Sequence, residues 1–160
     1  MHRSARWFLV AAGIVAADQL VKAAVLAAFA PGERRALTGF FNLVLVFNKG
    51  AAFSFLSDAA GWQTPLFAAF AAAASVLVSI LIVKNVEKRL MCAGLAAILG
   101  GALGNLVDRL RFGQVVDFLD FHALGWHWPA FNVADSAITV GAALLIIDGL
   151  VHEARARTSS

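Results

Sequence analysis

Four long apolar runs dominate the chain, from Trp7 to Ala30, Thr64 to Val83, Leu90 to about Val107 and Phe131 to Val151. Each is close to the roughly 20 residues a helix needs to cross a bilayer, so the pattern predicts four transmembrane helices. Between the first and second runs, and between the third and fourth, the pattern changes. Leu43-Val44-Leu45-Val46-Phe47 and Val115-Val116-Asp117-Phe118-Leu119 are rich in β-branched and aromatic residues, which predicts strands. Backbone edges are not left unpaired in lipid. A small sheet carrying Phe40, Phe41, Phe53 and Phe55 therefore belongs at the membrane surface, covering one end of the helices. Trp62, Trp126 and Trp128 suit the same interface. The predicted fold class is a membrane all-α protein with four transmembrane helices plus a small β-sheet at the outer membrane surface, in one domain over residues 1–160.

Composition fits an integral membrane protein: 61% of residues are hydrophobic and 14% charged. A soluble domain is only about 45–50% apolar. The formal charge of +3 is spread in short clusters between the apolar runs, which reads as a topology signal and excludes a nucleic-acid-binding face. An even number of spans puts both termini on one side. Arg3 and Arg6, then Lys84, Lys88 and Arg89, then Arg155 and Arg157 mark that side as cytoplasmic, so residues 31–63 and 108–130 face outward. Arg34, Arg35, Lys49, Arg109 and Arg111 lie on the opposite side and weaken the bias.

The first run resembles a signal peptide as far as Ala16-Ala17, but hydrophobicity resumes past Asp18-Gln19, which predicts a retained span. Cys92 is the only cysteine, so no intrachain disulfide forms, and it reads as a small buried residue. The polar tail from Glu153 to Ser160 is expected to fray. No span repeats another, which argues against inverted-repeat transporter folds.

In a chain that otherwise avoids charge, Asp117 and Asp135 stand at one end of predicted membrane helices. A carboxylate kept beside lipid is a functional candidate by default. The fourth helix is expected to begin after Pro129, with Asn132 and Asp135 on one face near its start. Asp117 belongs to a segment that leaves from and returns to that same surface. Two carboxyls about 3 Å apart cannot both ionise and hold one proton between them, which supplies an acid and a base together. Such a pair can hydrolyse a peptide without metal or covalent intermediate. The alternatives are structural: Asp135 is favoured by a helix N-terminus in any case, and Asp117 could pair with Arg109 or Arg111.

Other polar groups gather near the same end. In Leu99-Gly100-Gly101-Ala102-Leu103-Gly104-Asn105-Leu106-Val107-Asp108-Arg109, Gly100 and Gly104 have the small-xxx-small spacing of closely packed helices. Asn105, Asp108 and Arg109 then put polar groups at i, i+3 and i+4. Asp18 and Lys22 are four apart, about half-way along their span, and read as a mutually neutralising pair or as substrate contacts. Asn48-Lys49-Gly50 reads as a turn, either needing a positive φ at Gly50 or presenting Asn48 to an extended substrate backbone.

Five blocks, in order, resemble the lipoprotein signal peptidases, or signal peptidase II, a family of bacterial membrane aspartic peptidases. They are Asp18-Gln19-Leu20-Val21-Lys22, Asn48-Lys49-Gly50-Ala51-Ala52-Phe53, the stretch from Gly100 to Arg109, Val115-Val116-Asp117-Phe118 and Phe131-Asn132-Val133-Ala134-Asp135-Ser136. The resemblance implies that Asp117 and Asp135 are the catalytic pair and that Asn48, Arg109 and Asn132 line the site. It places Asp18 and Lys22 in the family's first motif, with Gly50, Asn105 and Asp108 as supporting residues. The implied substrate is a prolipoprotein, cut before its diacylglyceryl-modified cysteine at the outer face of the bacterial cytoplasmic membrane. No cofactor or metal is expected, and the chain is expected to act as a monomer within the bilayer. Val21 departs from the family's frequent small hydroxyl residue and concerns only helix packing.

Rival classes fit less well. A proton-coupled transporter using Asp18, Asp117 and Asp135 would need further ionisable residues in mid-helix, yet the midsections of the second and fourth runs have none except Asp148 near the inner end. Asp117, Asp120, His122 and His127 are possible zinc ligands, but no His-Glu-x-x-His is present. No Gly-x-Ser-x-Gly marks a serine peptidase. A non-catalytic helper would have no need of paired carboxylates.

Overall fold

A computed structural model describes residues 2–50 and 62–158 of the chain. Helix α1 (His2–Ala28) leads into strands β1 (Arg34–Ala36) and β2 (Phe41–Asn48). Helices α2 (Gln63–Lys84) and α3 (Arg89–Phe112) follow as a hairpin, then β3 (Val115–Ala123), β4 (Trp126–His127) and α4 (Val133–Thr158). All four helices are long and apolar enough to span a membrane. Their lipid-exposed faces carry Leu9, Leu20, Phe70, Leu77, Ile146 and Leu150. Val21 is among these exposed residues.

α3 is the central helix, packed against α1, α2 and α4, with 56% of its spanning stretch buried against 17–22% for the others. Its glycines permit this. A Cβ on Gly104 would lie 2.8 Å from an Asp18 carboxylate oxygen, and one on Gly101 would collide with the Ala134 carbonyl oxygen of α4. At the end of the bundle away from the sheet, Ala11, Ile82, Leu95 and Leu99 form an apolar core with Trp7, Phe8 and Leu145.

The strands form one antiparallel sheet, ordered β1-β2-β3-β4, over the other end of the bundle. Val25 of α1 meets Leu45, Val116 and Phe118 in a second apolar core beneath it. The β2–β3 register shifts between Leu43, opposite Leu119, and Val46, opposite Asp117. This bulge gives β2 one extra residue and lets both Val44 and Leu45 be buried. Phe40, Phe41, Phe121 and Phe131 make a ladder of ring contacts across the sheet.

Several boundaries differ from the sequence reading. The first span ends at Ala28, two residues before Ala30-Pro31, consistent with a proline disfavouring helix before it. The third continues to Phe112 and is closed by Gly113 at φ 71°. The fourth starts at Val133, because the backbone of Phe131 is bridged to Leu119. Most of the tail is helical, since α4 runs on to Thr158 through alanine and arginine, which favour helix. β1 and β4 were not expected. Phe53 and Phe55 lie outside the described residues, as do the side chains of Arg155 and Arg157. Trp62, Trp126 and Trp128 are all well exposed near the sheet end.

Candidate active site

Where β3, α3 and the start of α4 meet, the apolar interior gives way to a connected polar layer. Asn132 is the N-cap of α4: its Oδ1 accepts the backbone N–H of Asp135 at 2.9 Å, satisfying one of the helix's orphan donors. The same side chain donates through Nδ2 to Asp117 Oδ1 at 2.7 Å. One asparagine thus holds the backbone of one aspartate and the carboxylate of the other.

Asp117 is the third residue of β3 and is 2% exposed. Asn48, on the neighbouring strand, donates to its second oxygen at 3.0 Å and accepts the Gly50 N–H at 2.9 Å. Asp135 Oδ1 accepts from Asn105 Nδ2 of α3 at 2.8 Å, and Asn105 Oδ1 in turn accepts from Asn132 at 3.2 Å. The two carboxylates are therefore linked through Asn132 and Asn105. Burial, reinforced by the charge of Asp135, pushes the Asp117 carboxyl up to about 7. The amides of Asn48 and Asn132 and the charge of Lys22 pull the other way without cancelling it.

Arg109 borders this pair. Its guanidinium donates to the carbonyls of Gly50 (3.1 Å) and Asn105 (3.4 Å), lies 5.7 Å from the Phe67 ring centre, and interacts with the charges of Asp135, Asp117 and Asp108. Among the described residues Asp117 has asparagine partners and no arginine ion pair, so the structural alternative for it is not what the fold builds.

Beneath the pair lies an ion triad. Lys22 Nζ stands 2.8 Å from Asp18 Oδ2 and 2.7 Å from Asp108 Oδ2, and donates to Asn105 Oδ1 at 3.0 Å. All three ionic side chains are at most 2% exposed, and a buried charge is tolerated only when paired and hydrogen-bonded. Lys22 thus lies in the sheet-side third of α1, directly under the site, while Asp18 stands one turn nearer the middle of the helix. Gln19, missed by the sequence reading, donates to Asp108 Oδ1 at 2.9 Å and to Asp18 and the Gly104 carbonyl at 3.2 Å. Its place inside the Asp18 to Lys22 block was the available signal.

The histidines gather elsewhere. Asp120 accepts from Asn42 (2.8 Å) and meets His127 Nδ1 at 2.8 Å and Arg34 at 3.4 Å, while His122 stacks on His127. Burial alone would raise the Asp120 carboxyl, but these hydrogen bonds and the Arg34 charge outweigh it and hold it below its ordinary value. Three residues along β3 from Asp117, Asp120 points to the opposite sheet face, so these four residues do not assemble around one point.

Comparison with known proteins gives a consistent result. The family model described as signal peptidase (SPase) II matches residues 10–151. A lipoprotein signal peptidase of Paraburkholderia phymatum is 55% identical over 146 residues, covering 91% of this chain and 88% of that protein. Another, from Ralstonia nicotianae, is 59% identical over 133 residues, covering 83% and 77%. A bacterial membrane enzyme solved by the in meso method at 2.3 Å resolution superposes with a TM-score of 0.84 at 29% identity, covering 94% of this chain and 91% of that one.

Proposed function

The chain belongs to the signal peptidase II family, a multi-pass bacterial membrane aspartic peptidase that removes signal peptides from prolipoproteins, and from that premise we propose that Asp117 and Asp135 perform the cleavage. The observation that carries this is the convergence of both carboxylates, through Asn132 and Asn105, on one buried polar layer beside Arg109.

At neutral pH the pair holds a single proton, since Asp117 retains its own up to about pH 7. The ionised carboxylate takes a proton from water as the water oxygen bonds to the scissile carbonyl carbon. The protonated one supports the developing oxyanion, and as the C–N bond breaks the amine leaves with a proton from the pair. Asn48 and Asn132 fix the Asp117 carboxylate plane and Asn105 that of Asp135. Gly50, held by both Asn48 and Arg109, sets the edge of the site where an extended substrate backbone would lie.

The substrate is proposed to be cut before its diacylglyceryl-modified cysteine, by one domain spanning residues 1–160 and acting as a monomer. The termini are proposed to be cytoplasmic and the sheet outward, since Arg3, Arg6, Lys84, Lys88 and Arg89 lie at the opposite end of the bundle from the site. A signal peptide in the bilayer then presents its scissile bond at the interface where both aspartates sit.

The test is cleavage of a diacylglyceryl-cysteine lipobox peptide by detergent-purified protein with a chelator present. Asp117→Asn and Asp135→Asn should each lower kcat by at least about 10³-fold while leaving the protein folded. Full activity in either variant sinks the pairing, and loss of wild-type activity to the chelator would instead require a metal.

A further inference from the structure

Both proposed catalytic residues are preceded by a backbone amide that is held by a buried carboxylate. Val116 N–H, just before Asp117, donates to Asp108 Oδ2 at 3.1 Å. Ala134 N–H, just before Asp135, donates to Asp18 Oδ1 at 2.9 Å. Asp108 belongs to α3 and Asp18 to α1, yet Lys22 stands less than 3 Å from both carboxylates. Asn105, which holds Asp135, accepts from the same ammonium.

We propose that Lys22 is a positioning residue for signal-peptide cleavage: by joining the carboxylates of Asp18 and Asp108 it fixes β3 and the first turn of α4 relative to one another, and so sets the separation of Asp117 and Asp135. Gln19 is the second strut, reaching both carboxylates and the Gly104 carbonyl. This rests on the reading of Asp117 and Asp135 as the catalytic pair. It explains why so polar a cluster is kept under the site: a charge pair with apolar neighbours adds little stability, whereas three charges that each grip a different element specify geometry. It also explains Gly104, since a Cβ there would displace Asp18 from its position.

Among the described residues Lys22 pairs with Asp18 and Asp108 rather than with Asp117, but its charge reaches Asp117. The groups acting on Asp117 are Asp135 on α4, Asn132 at its cap, Lys22 on α1, Arg109 on α3 and Asn48 on β2, with Asp108 of α3 paired to Lys22. With Lys22 neutralised, the proton shared at Asp117 is held to higher pH, so the alkaline limb of the rate profile moves upward.

The experiment compares wild type, Asp117→Asn, Lys22→Met and Gln19→Leu in the lipobox cleavage assay, with folding followed by thermal denaturation in detergent. Lys22→Met should lower kcat by about 10²-fold, the scale of a small misplacement of reacting groups, change KM by less than about threefold and raise the alkaline limb. Adding Asp108→Asn to it removes one uncompensated charge, while the remaining oxygen still accepts from Val116, and should recover about tenfold of kcat. Gln19→Leu leaves the three charges in place and should lower kcat by about tenfold with the alkaline limb unmoved. Folded Lys22→Met with wild-type kcat and pH profile overturns the proposal. Should Lys22→Met fail to fold, an unchanged kcat in folded Gln19→Leu overturns it equally. If Asp117→Asn itself is active, the pairing of Asp117 and Asp135 fails, a result separable from either.

Discussion

Helices α1 and α3 meet twice, in two different ways. Away from the sheet, Ala11 packs against Leu95 and Leu99, with Ile82 of α2 completing the cluster. Two turns nearer the sheet the same helices meet through Asp18, Lys22, Asn105 and Asp108. The first contact is non-directional, and its strength depends on how well the volume is filled. The second is directional, and removing one partner leaves a buried group unpaired at a cost of several kcal/mol. A helix pair can therefore be held in place by either half, but only the polar half fixes which atoms face which.

The comparison is broken most severely at Asn132, which serves both aspartates. Asn132→Ala removes the α4 cap and a donor to Asp117, and is expected to cut kcat by about 10²–10³-fold, the scale seen for loss of one site donor, with about 1 kcal/mol of stability. A measured kcat within threefold of wild type would show that Asp117 needs no such support. Leu99→Ala in the apolar half should do the reverse, costing about 2–5 kcal/mol in denaturation while leaving the kcat of the folded fraction unchanged. A falling kcat there would mean that the two halves are mechanically coupled.

The finest division is by pH. Asp117, raised from 3.8 to about 7, should lose its proton and with it the pair's acid, so kcat falls up to about tenfold per unit above pH 7. The sign for stability follows. A carboxyl whose folded pKa is raised stabilises the fold most below its unfolded pKa, and that contribution is lost as pH rises through about 7. The melting temperature of wild type minus that of Asp117→Asn should accordingly decline between pH 4 and pH 7, while the same difference for Leu99→Ala stays flat.

The apolar half was easy to read, because four runs of hydrophobic residues announce four helices, and the strand-like composition around Leu45 and Val116 announced the sheet. The aspartates were legible as charges out of place. What was not legible was depth: Lys22 was placed with Asp18 at mid-span, but α1 begins at His2 and ends at Ala28, which leaves Asp18 near the middle and puts Lys22 in the sheet-side third. Gln19 was overlooked because a single amide in an apolar run carries no pattern; only the packing of α3 onto α1 gives it three acceptors. The histidines beside Asp120 were weak candidates for ligands on their spacing alone, and strand alternation puts Asp120 and His127 on the face away from Asp117.

The extra residue in β2 settles a matter of parity. Asn42 and Asn48 are six apart, an even number, so in an uninterrupted strand both would point the same way. Their partners, Asp120 and Asp117, are three apart on β3, an odd number, and must point opposite ways. No regular ladder can satisfy both pairs. The irregularity between Leu43 and Val46 absorbs the extra residue, so Asn42 stands opposite Asp120 while Asn48 comes opposite Val115, on the face that carries Asp117. The strand's one departure from regularity is thus what lets a single stretch of backbone serve the proposed catalytic carboxylate at one end and the Asp120 carboxylate at the other.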